Sequence, residues 1–272
     1  MSSIPKSNTT KSNIHSTAIV SKSAQIADDV QIGPYSVIGP NVKIGSGTWV
    51  GPHVVVEGYT TIGTKNKLYQ FSSIGSAPQD LKYKGEPTLL NIGNSNIIRE
   101  YVTIQPGTIQ ANGKTVVGNG NLFMASSHVG HDSVVGNSNV FANNVALAGH
   151  VTIQNKVIIG GMVGIHQFCT IGDNAMLSGG SMVVKDIPPY CIAQGDRAKL
   201  RGLNTIGLQR SGFSKEQITD IRKVYRNLFK SSGNMSERIA SVPKDLANLS
   251  HISTLIEFIK SSQRGICSAE KE

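Results

Sequence analysis

Residues 14–50 read Ile14-His-Ser-Thr-Ala-Ile-Val20-Ser-Lys-Ser-Ala-Gln-Ile26-Ala-Asp-Asp-Val-Gln-Ile32-Gly-Pro-Tyr-Ser-Val-Ile38-Gly-Pro-Asn-Val-Lys-Ile44-Gly-Ser-Gly-Thr-Trp-Val50. An aliphatic residue returns at every sixth position, and the spacing continues through Val56, Ile62, Leu68 and Ile74. Ile92, Ile98 and Ile104 keep the same phase after a gap. A second gap shifts the phase by one, and Val117, Phe123, Val129, Val135, Phe141, Leu147, Ile153, Ile159, Ile165, Ile171, Leu177 and Val183 follow. A period of six matches neither a 3.6-residue helix nor an alternating strand. It matches a short strand and a corner, three to a triangular coil, with the periodic residue pointing inward. Glycine often follows that residue, as at Gly33, Gly45 and Gly136, and glycine or asparagine at a corner tolerates positive φ. Successive coils then stack about 4.8 Å apart, and each buries its apolar face only on its neighbours. The reading is a mainly β protein, a parallel β-helix of hexapeptide repeats, over residues 14–190.

Residues 75–91 and 105–116 interrupt the repeat with prolines, glycines and charges. Loops thrown from a rigid scaffold are frequent carriers of binding groups. Asp186-Ile-Pro-Pro closes the repeat, and residues 191–272 form a C-terminal helical domain. There Ser214 and Gln217 make a capping box ahead of an apolar stripe at Ile218, Ile221, Tyr225, Leu228 and Phe229. Further helices are expected over Met235–Leu249, broken near Pro243, and over His251–Lys260.

A net charge of +9 favours an anionic ligand or partner. Much of that charge lies in the C-terminal portion, at Lys199, Arg201, Arg210, Lys215, Arg222, Lys223 and Arg226. Aromatic residues make up only 6% and no basic helix has base-reading spacing, which argues against nucleic acid. Three scattered cysteines make no disulfide framework and point to a reducing, cytoplasmic setting. Residues 1–13 read as a flexible polar tail rather than a signal peptide, and no apolar run is long enough to span a membrane.

The chain has seven histidines, and His128, His131, His150 and His166 fall between 128 and 166. Eighteen residues make one coil, so Gly149 stands one rung above His131 and Gln167 one rung above Gly149. His150 and His166 lie beside those two, and all four histidines converge on one edge. Imidazoles suit metal binding or proton transfer. Zinc would want three nitrogens around one point. Asp132, directly after His131, can instead orient an imidazole, and a bare Gly149 N–H suits an oxyanion. That pairing favours a metal-free acid–base site, with the metal reading open.

The motifs Gln79-Asp80-Leu-Lys82-Tyr-x-Gly85-Glu-Pro87, Ser127-His128-x-Gly-His131-Asp132, Asn143-Asn144-x-x-Leu-Ala-Gly149-His150, Gly160-Gly161-Met-x-x-Ile-His166-Gln167-Phe168 and Asp186-Ile-Pro-Pro-Tyr190 resemble those of the UDP-N-acetylglucosamine O-acyltransferases of lipid A biosynthesis. The likeness runs from Ile14 to about Gly265. It implies a left-handed coil, against the usual right-handed crossover, and a homotrimer with sites between columns. It also implies transfer of a (3-hydroxy)acyl chain from acyl carrier protein to the glucosamine 3-hydroxyl of UDP-N-acetylglucosamine. No cofactor is implied, the carrier's phosphopantetheine arm being part of a substrate. His131 corresponds to the general base, Asp132 to its orienting carboxylate and Gly149 to the oxyanion donor. Gln79, Asp80, Lys82, His128, His150, His166 and Gln167 correspond to substrate-contacting positions. Asn204 and Arg210 correspond to nucleotide-side residues, and Gly179 to the floor of the acyl groove. Ile206 and Ser211 depart from the usual acidic residue and second arginine. Two further readings stand beside this one: an N-acyltransferase of the same pathway, whose relatives carry an extra domain before the repeats, and a zinc-dependent hydratase.

Overall fold

The computed structural model describes residues 14–270; the tail expected over 1–13 lies outside the described residues. Short strands alternate with corners, and every third strand pairs in parallel with the one a coil earlier. They form three sheets of nine, eight and ten strands, the faces of one left-handed parallel β-helix. Register is set by the eighteen-residue coil: Val140 pairs with Ile158 and Ile158 with Met176. The two interruptions lengthen individual coils. Ser73 pairs with Thr103, and Thr103 with His128, so these coils take 30 and 25 residues. The second value is one more than a multiple of six, which is the phase shift seen in the repeat. Strands Leu89–Ile92 and Lys114–Val117 belong to the sheet, so the true excursions are shorter than the breaks in the pattern.

The periodic residues fill the prism. Val50, Ile74, Ile98, Phe123, Phe141, Leu147 and Leu177 have no exposed surface, and Phe123 and Phe141 stack with ring centroids 4.5 Å apart. Ile14, Val20 and Ile26, at the start of the column, are only partly buried because they have a neighbouring coil on one side alone.

The repeat glycines serve a different purpose from the one the sequence suggests. Positive φ falls mostly on other residues two positions further on, among them Tyr35 (59°), Asp132 (58°), His150 (61°) and Phe168 (66°). The glycine after the periodic residue is needed for close approach instead. A β-carbon on Gly45 would lie 2.8 Å from the Gly63 carbonyl carbon of the coil above. On this same edge the carboxamides of Asn119, Asn137 and Asn155 each bond to the next residue of a ladder that ends at Asp173.

The sheet runs past residue 190. Strand Cys191–Gln194 pairs in parallel with Met176–Leu177 and antiparallel with Lys199–Leu203. Helices follow: α1 Thr205–Arg210, α2 Lys215–Lys230, α3 Met235–Ala240, α4 Lys244–Ala247 and α5 Ser250–Ser261. The capping box at Ser214 is formed, and the apolar stripe of α2 is buried. The short α1 had no periodic signal. After α5 the chain returns to the column: Cys267 N–H donates to the Asp186 carbonyl and Leu200 N–H to that of Ser268.

Candidate active site

Asp132 occupies a left-handed corner, and its carboxylate turns inward to near-complete burial. It accepts hydrogen bonds from the Thr108 N–H at 3.0 and 3.1 Å and from the Thr108 hydroxyl at 2.7 Å. His131 Nδ1 lies 2.9 Å from Asp132 Oδ2. An ionised carboxylate only accepts, so Nδ1 carries the proton of the neutral ring and Nε2 is left as the base. Thr108 comes from the second excursion, and no sequence signal marked it out.

The coil above places Gly149 against this ring. A β-carbon there would lie 2.5 Å from His131 Cε1 and 2.6 Å from Nε2, so only glycine leaves the imidazole room. The His150 N–H donates to the His131 carbonyl at 2.9 Å, which fixes the backbone of the rung. The Gly149 N–H has no backbone partner among the described residues.

A cavity of about 530 Å³ opens in front of these groups, lined by Gln79, Gln105, His128, His131, Gly149 and His166, with Leu147, Met182 and Val184 supplying apolar wall. His128 Nδ1 lies 2.7 Å from the Thr103 hydroxyl. Burial, and secondarily the charge of His131, holds the His128 imidazole below its ordinary pKa. His166 Nδ1 is 2.9 Å from a guanidinium nitrogen of Arg264, a residue that no sequence motif singled out.

His150 sits differently. Its ring meets His131 edge-on at 5.0 Å and stacks on Phe168 at 4.5 Å, facing a separate cavity of about 260 Å³ bounded by α5. Burial lowers its pKa, opposed by the Asp132 carboxylate, with His131 lowering it and Asp80 raising it further.

The other expected residues are spread more widely. Asp80 Oδ1 accepts from the Lys82 N–H at 2.9 Å, Lys82 is exposed, and neither lines the cavity. The exposed Gln167 also lies outside it. Gly179 belongs to a different edge, beside Gly161. The Asn204 side chain is buried and committed: its amide donates to the Asn174 carbonyl at 2.9 Å and its oxygen caps α1 through the Gly207 N–H. Arg210 is exposed in the last turn of α1. Within a single chain these three stand apart from His131.

Ligand atoms of His131, Asp132 and His150 lie within 4.8 Å of one another, a spacing a divalent ion would need. Asp132 is already engaged there, Oδ2 by Thr108 and His131 and Oδ1 by the Thr108 N–H. A larger cavity of about 980 Å³ among the C-terminal helices, lined by Arg226, Met235, Arg238 and Glu270, has no histidine in its wall.

Residues 11–46 match the family of bacterial transferase hexapeptide (six repeats), and residues 186–267 match that of Udp N-acetylglucosamine O-acyltransferase, domain 2. The acyl-[acyl-carrier-protein]–UDP-N-acetylglucosamine O-acyltransferase of Myxococcus xanthus (strain DK1622) is 52% identical over 253 residues, 93% of this chain and 98% of that one. Its counterpart in Thiobacillus denitrificans (strain ATCC 25259 / T1) is 47% identical, with the same coverage. The crystal structure of UDP-N-acetylglucosamine O-acyltransferase from Moraxella catarrhalis RH4 superposes with a TM-score of 0.91 at 48% identity, covering 94% of this chain and 99% of that one. With its repeat, its His131–Asp132 pair and its C-terminal helices all in place, the chain belongs to the acyl-[acyl-carrier-protein]–UDP-N-acetylglucosamine O-acyltransferase family.

Proposed function

We propose that the protein transfers a (3-hydroxy)acyl chain from acyl carrier protein to the 3-hydroxyl of UDP-N-acetylglucosamine, the first step of lipid A biosynthesis. The observation that carries this reading is the His131–Asp132 pair seated against the Gly149 backbone at the wall of a cavity. A sugar hydroxyl is a weak nucleophile at neutral pH. As its oxygen attacks the thioester carbonyl carbon, His131 Nε2 takes the hydroxyl proton, and Asp132 stabilises the resulting imidazolium. Charge builds on the former carbonyl oxygen, where the Gly149 N–H donates; one such donor contributes about 2.7–4 kcal/mol. The C–S bond then breaks, and the thiolate takes the proton back from His131. A thiol of pKa about 8.5 leaves with little help.

The reaction so read needs no metal or cofactor, and the engagement of Asp132 by Thr108 and His131 is in keeping with this. His128, His166 and Gln79 hold the sugar and acyl groups from the cavity wall. Asp80, Lys82, His150 and Gln167 flank the site on the edge that carries His131, and Gly179 and Arg210 join them across a subunit boundary of a homotrimer. The placement of Gly179 on another edge and of Arg210 on α1, both away from His131 in one column, supports that assembly. Asn204 then acts through α1, whose N-terminus it caps, rather than through its buried carboxamide. The basic C-terminal portion suits an acidic carrier protein and a diphosphate. No helix among the described residues is long and apolar enough to cross a membrane, and the carrier-bound substrate places the reaction in the cytoplasm.

Mass spectrometry of products from UDP-N-acetylglucosamine and a panel of acyl-carrier-protein thioesters tests the reading. Acyl-UDP-N-acetylglucosamine should form with the wild type and be nearly abolished in His131→Ala. No acylated sugar from any thioester, or full turnover in the variant, overturns it. Light scattering should give three times the chain mass.

A further inference from the structure

The C-terminal segment after α5 delivers a charged side chain to His166 and Val184, two residues of the cavity wall. Ser262 Oγ donates to Asp186 Oδ2 at 2.6 Å, Gly265 N–H donates to Ser262 Oγ at 3.1 Å, and the Gly265 carbonyl accepts from the Asp186 N–H at 3.0 Å. Asp186 is itself buried and also accepts from the Thr170 N–H at 2.7 Å. Arg264 is therefore held from both sides. Its guanidinium bridges two groups of the column: Nε donates to the Val184 carbonyl at 2.8 Å, and Nη2 lies 2.9 Å from His166 Nδ1.

A guanidinium has donors and no acceptor. At 2.9 Å it requires the lone pair of Nδ1, which leaves the ring proton on Nε2. The Gln167 carbonyl, 3.2 Å from the same Nδ1, would call for the opposite tautomer. A proton on Nδ1 would then point at the N–H groups of Arg264, so the shorter, charge-assisted contact decides. His166 lines the cavity, and with Nδ1 engaged its free ring nitrogen is Nε2. We propose that Arg264 is a positioning residue that fixes His166 as an Nε2–H donor to an oxygen of the bound nucleotide sugar. The identity of that ligand rests on the acyltransferase reading. The sugar is favoured over the acyl group because its hydroxyl and diphosphate oxygens are many, whereas a (3-hydroxy)acyl chain has one hydroxyl besides the thioester oxygen that Gly149 serves.

The test combines Arg264→Met, Arg264→Lys, His166→Ala and the double variant R264M/H166A in the full-length protein. Losing a hydrogen bond that involves a charged group should raise KM for UDP-N-acetylglucosamine roughly tenfold in Arg264→Met, with kcat and KM for acyl carrier protein little changed. Arg264→Lys keeps the charge but not the two-pronged bridge, and should show the same direction with an unchanged melting temperature. In the double variant KM should match that of H166A alone, because Arg264 acts through that ring. Nitrogen-15 spectra of the imidazoles should show His166 with a bare Nδ1 in the wild type and mixed tautomers in Arg264→Met. Additive losses in the double variant, or a His166 signal unaltered by Arg264→Met, overturn the proposal. If Arg264→Met fails to fold, the KM and the imidazole spectrum of Arg264→Lys separate the same two outcomes. A wild type without acyl transfer refutes the functional reading, while the imidazole spectra still test the Arg264–His166 link.

Discussion

Gly149 stands where a β-carbon would come within 2.5 Å of the His131 imidazole. The clash is with the far end of a side chain, so Gly149→Ala is relieved by pushing the ring aside rather than by distorting the coil. Acyl transfer is expected to fall by about a hundredfold, since displacements of about 1 Å at a reacting centre cost that much. The melting temperature should stay within a few degrees of wild type. Steady-state kinetics beside a thermal melt separates the effects, and a well-folded variant with unimpaired turnover would contradict the role given to this contact.

Asp132→Asn should lower kcat by about 10²–10⁴ while leaving KM values similar. An asparagine amide facing Nδ1 donates where the carboxylate accepted, and turns His131 to the wrong tautomer. Thr108→Val removes the hydroxyl that donates to Asp132 at 2.7 Å. It should destabilise by about 1–3 kcal/mol through a buried acceptor left short of a partner. Denaturant unfolding measures the second change and single-turnover rates the first.

Acidification should weaken the fold at this edge. Burial holds the imidazoles of His128 and His150 below the ordinary histidine value. The unfolded chain then takes up their protons before the folded one does. Their contribution to stability is whole above about pH 6.5 and is lost as pH falls from there toward the depressed folded values. Melting temperatures of wild type and His128→Gln, measured between about pH 8 and pH 5, should converge on the acid side. Parallel curves would show that His128 does not contribute.

Phe141 is fully buried and stacked on Phe123. Phe141→Ala should cost about 3–5 kcal/mol, as expected for an aromatic removed from a core that cannot collapse. The coils are tied by the ladders above and below, so the void persists. Chemical denaturation of the assembled protein reads this directly, and a loss below about 1 kcal/mol would mean that the column relaxes around the gap.

The β-helix was legible because its signal is redundant. Each coil buries its own three apolar residues, so the same instruction is written afresh every six positions and survives two interruptions. The four histidines were legible for the same reason: an eighteen-residue coil turns sequence separation into position on an edge, and Gly149 falls on His131 by arithmetic alone. α1 was not legible, since six residues carry too little periodicity to mark a helix.

The repeat, the edge on which the histidines gather, and the adjacency of His131 and Asp132 on it all follow from the order of residues along the chain. The groups that complete them emerge only in three dimensions. Thr108 reaches Asp132 from a non-repeating loop, and Arg264 reaches His166 from 98 residues away. Folding also sets His150 between His131 and Phe168 rather than in the same cavity, and puts Gly179 on another edge. One cause underlies the division. Repeat geometry passes from residue to residue along the chain, whereas contacts made by loops and by the returning C-terminal segment depend on where a folded surface leaves donors and acceptors unmatched.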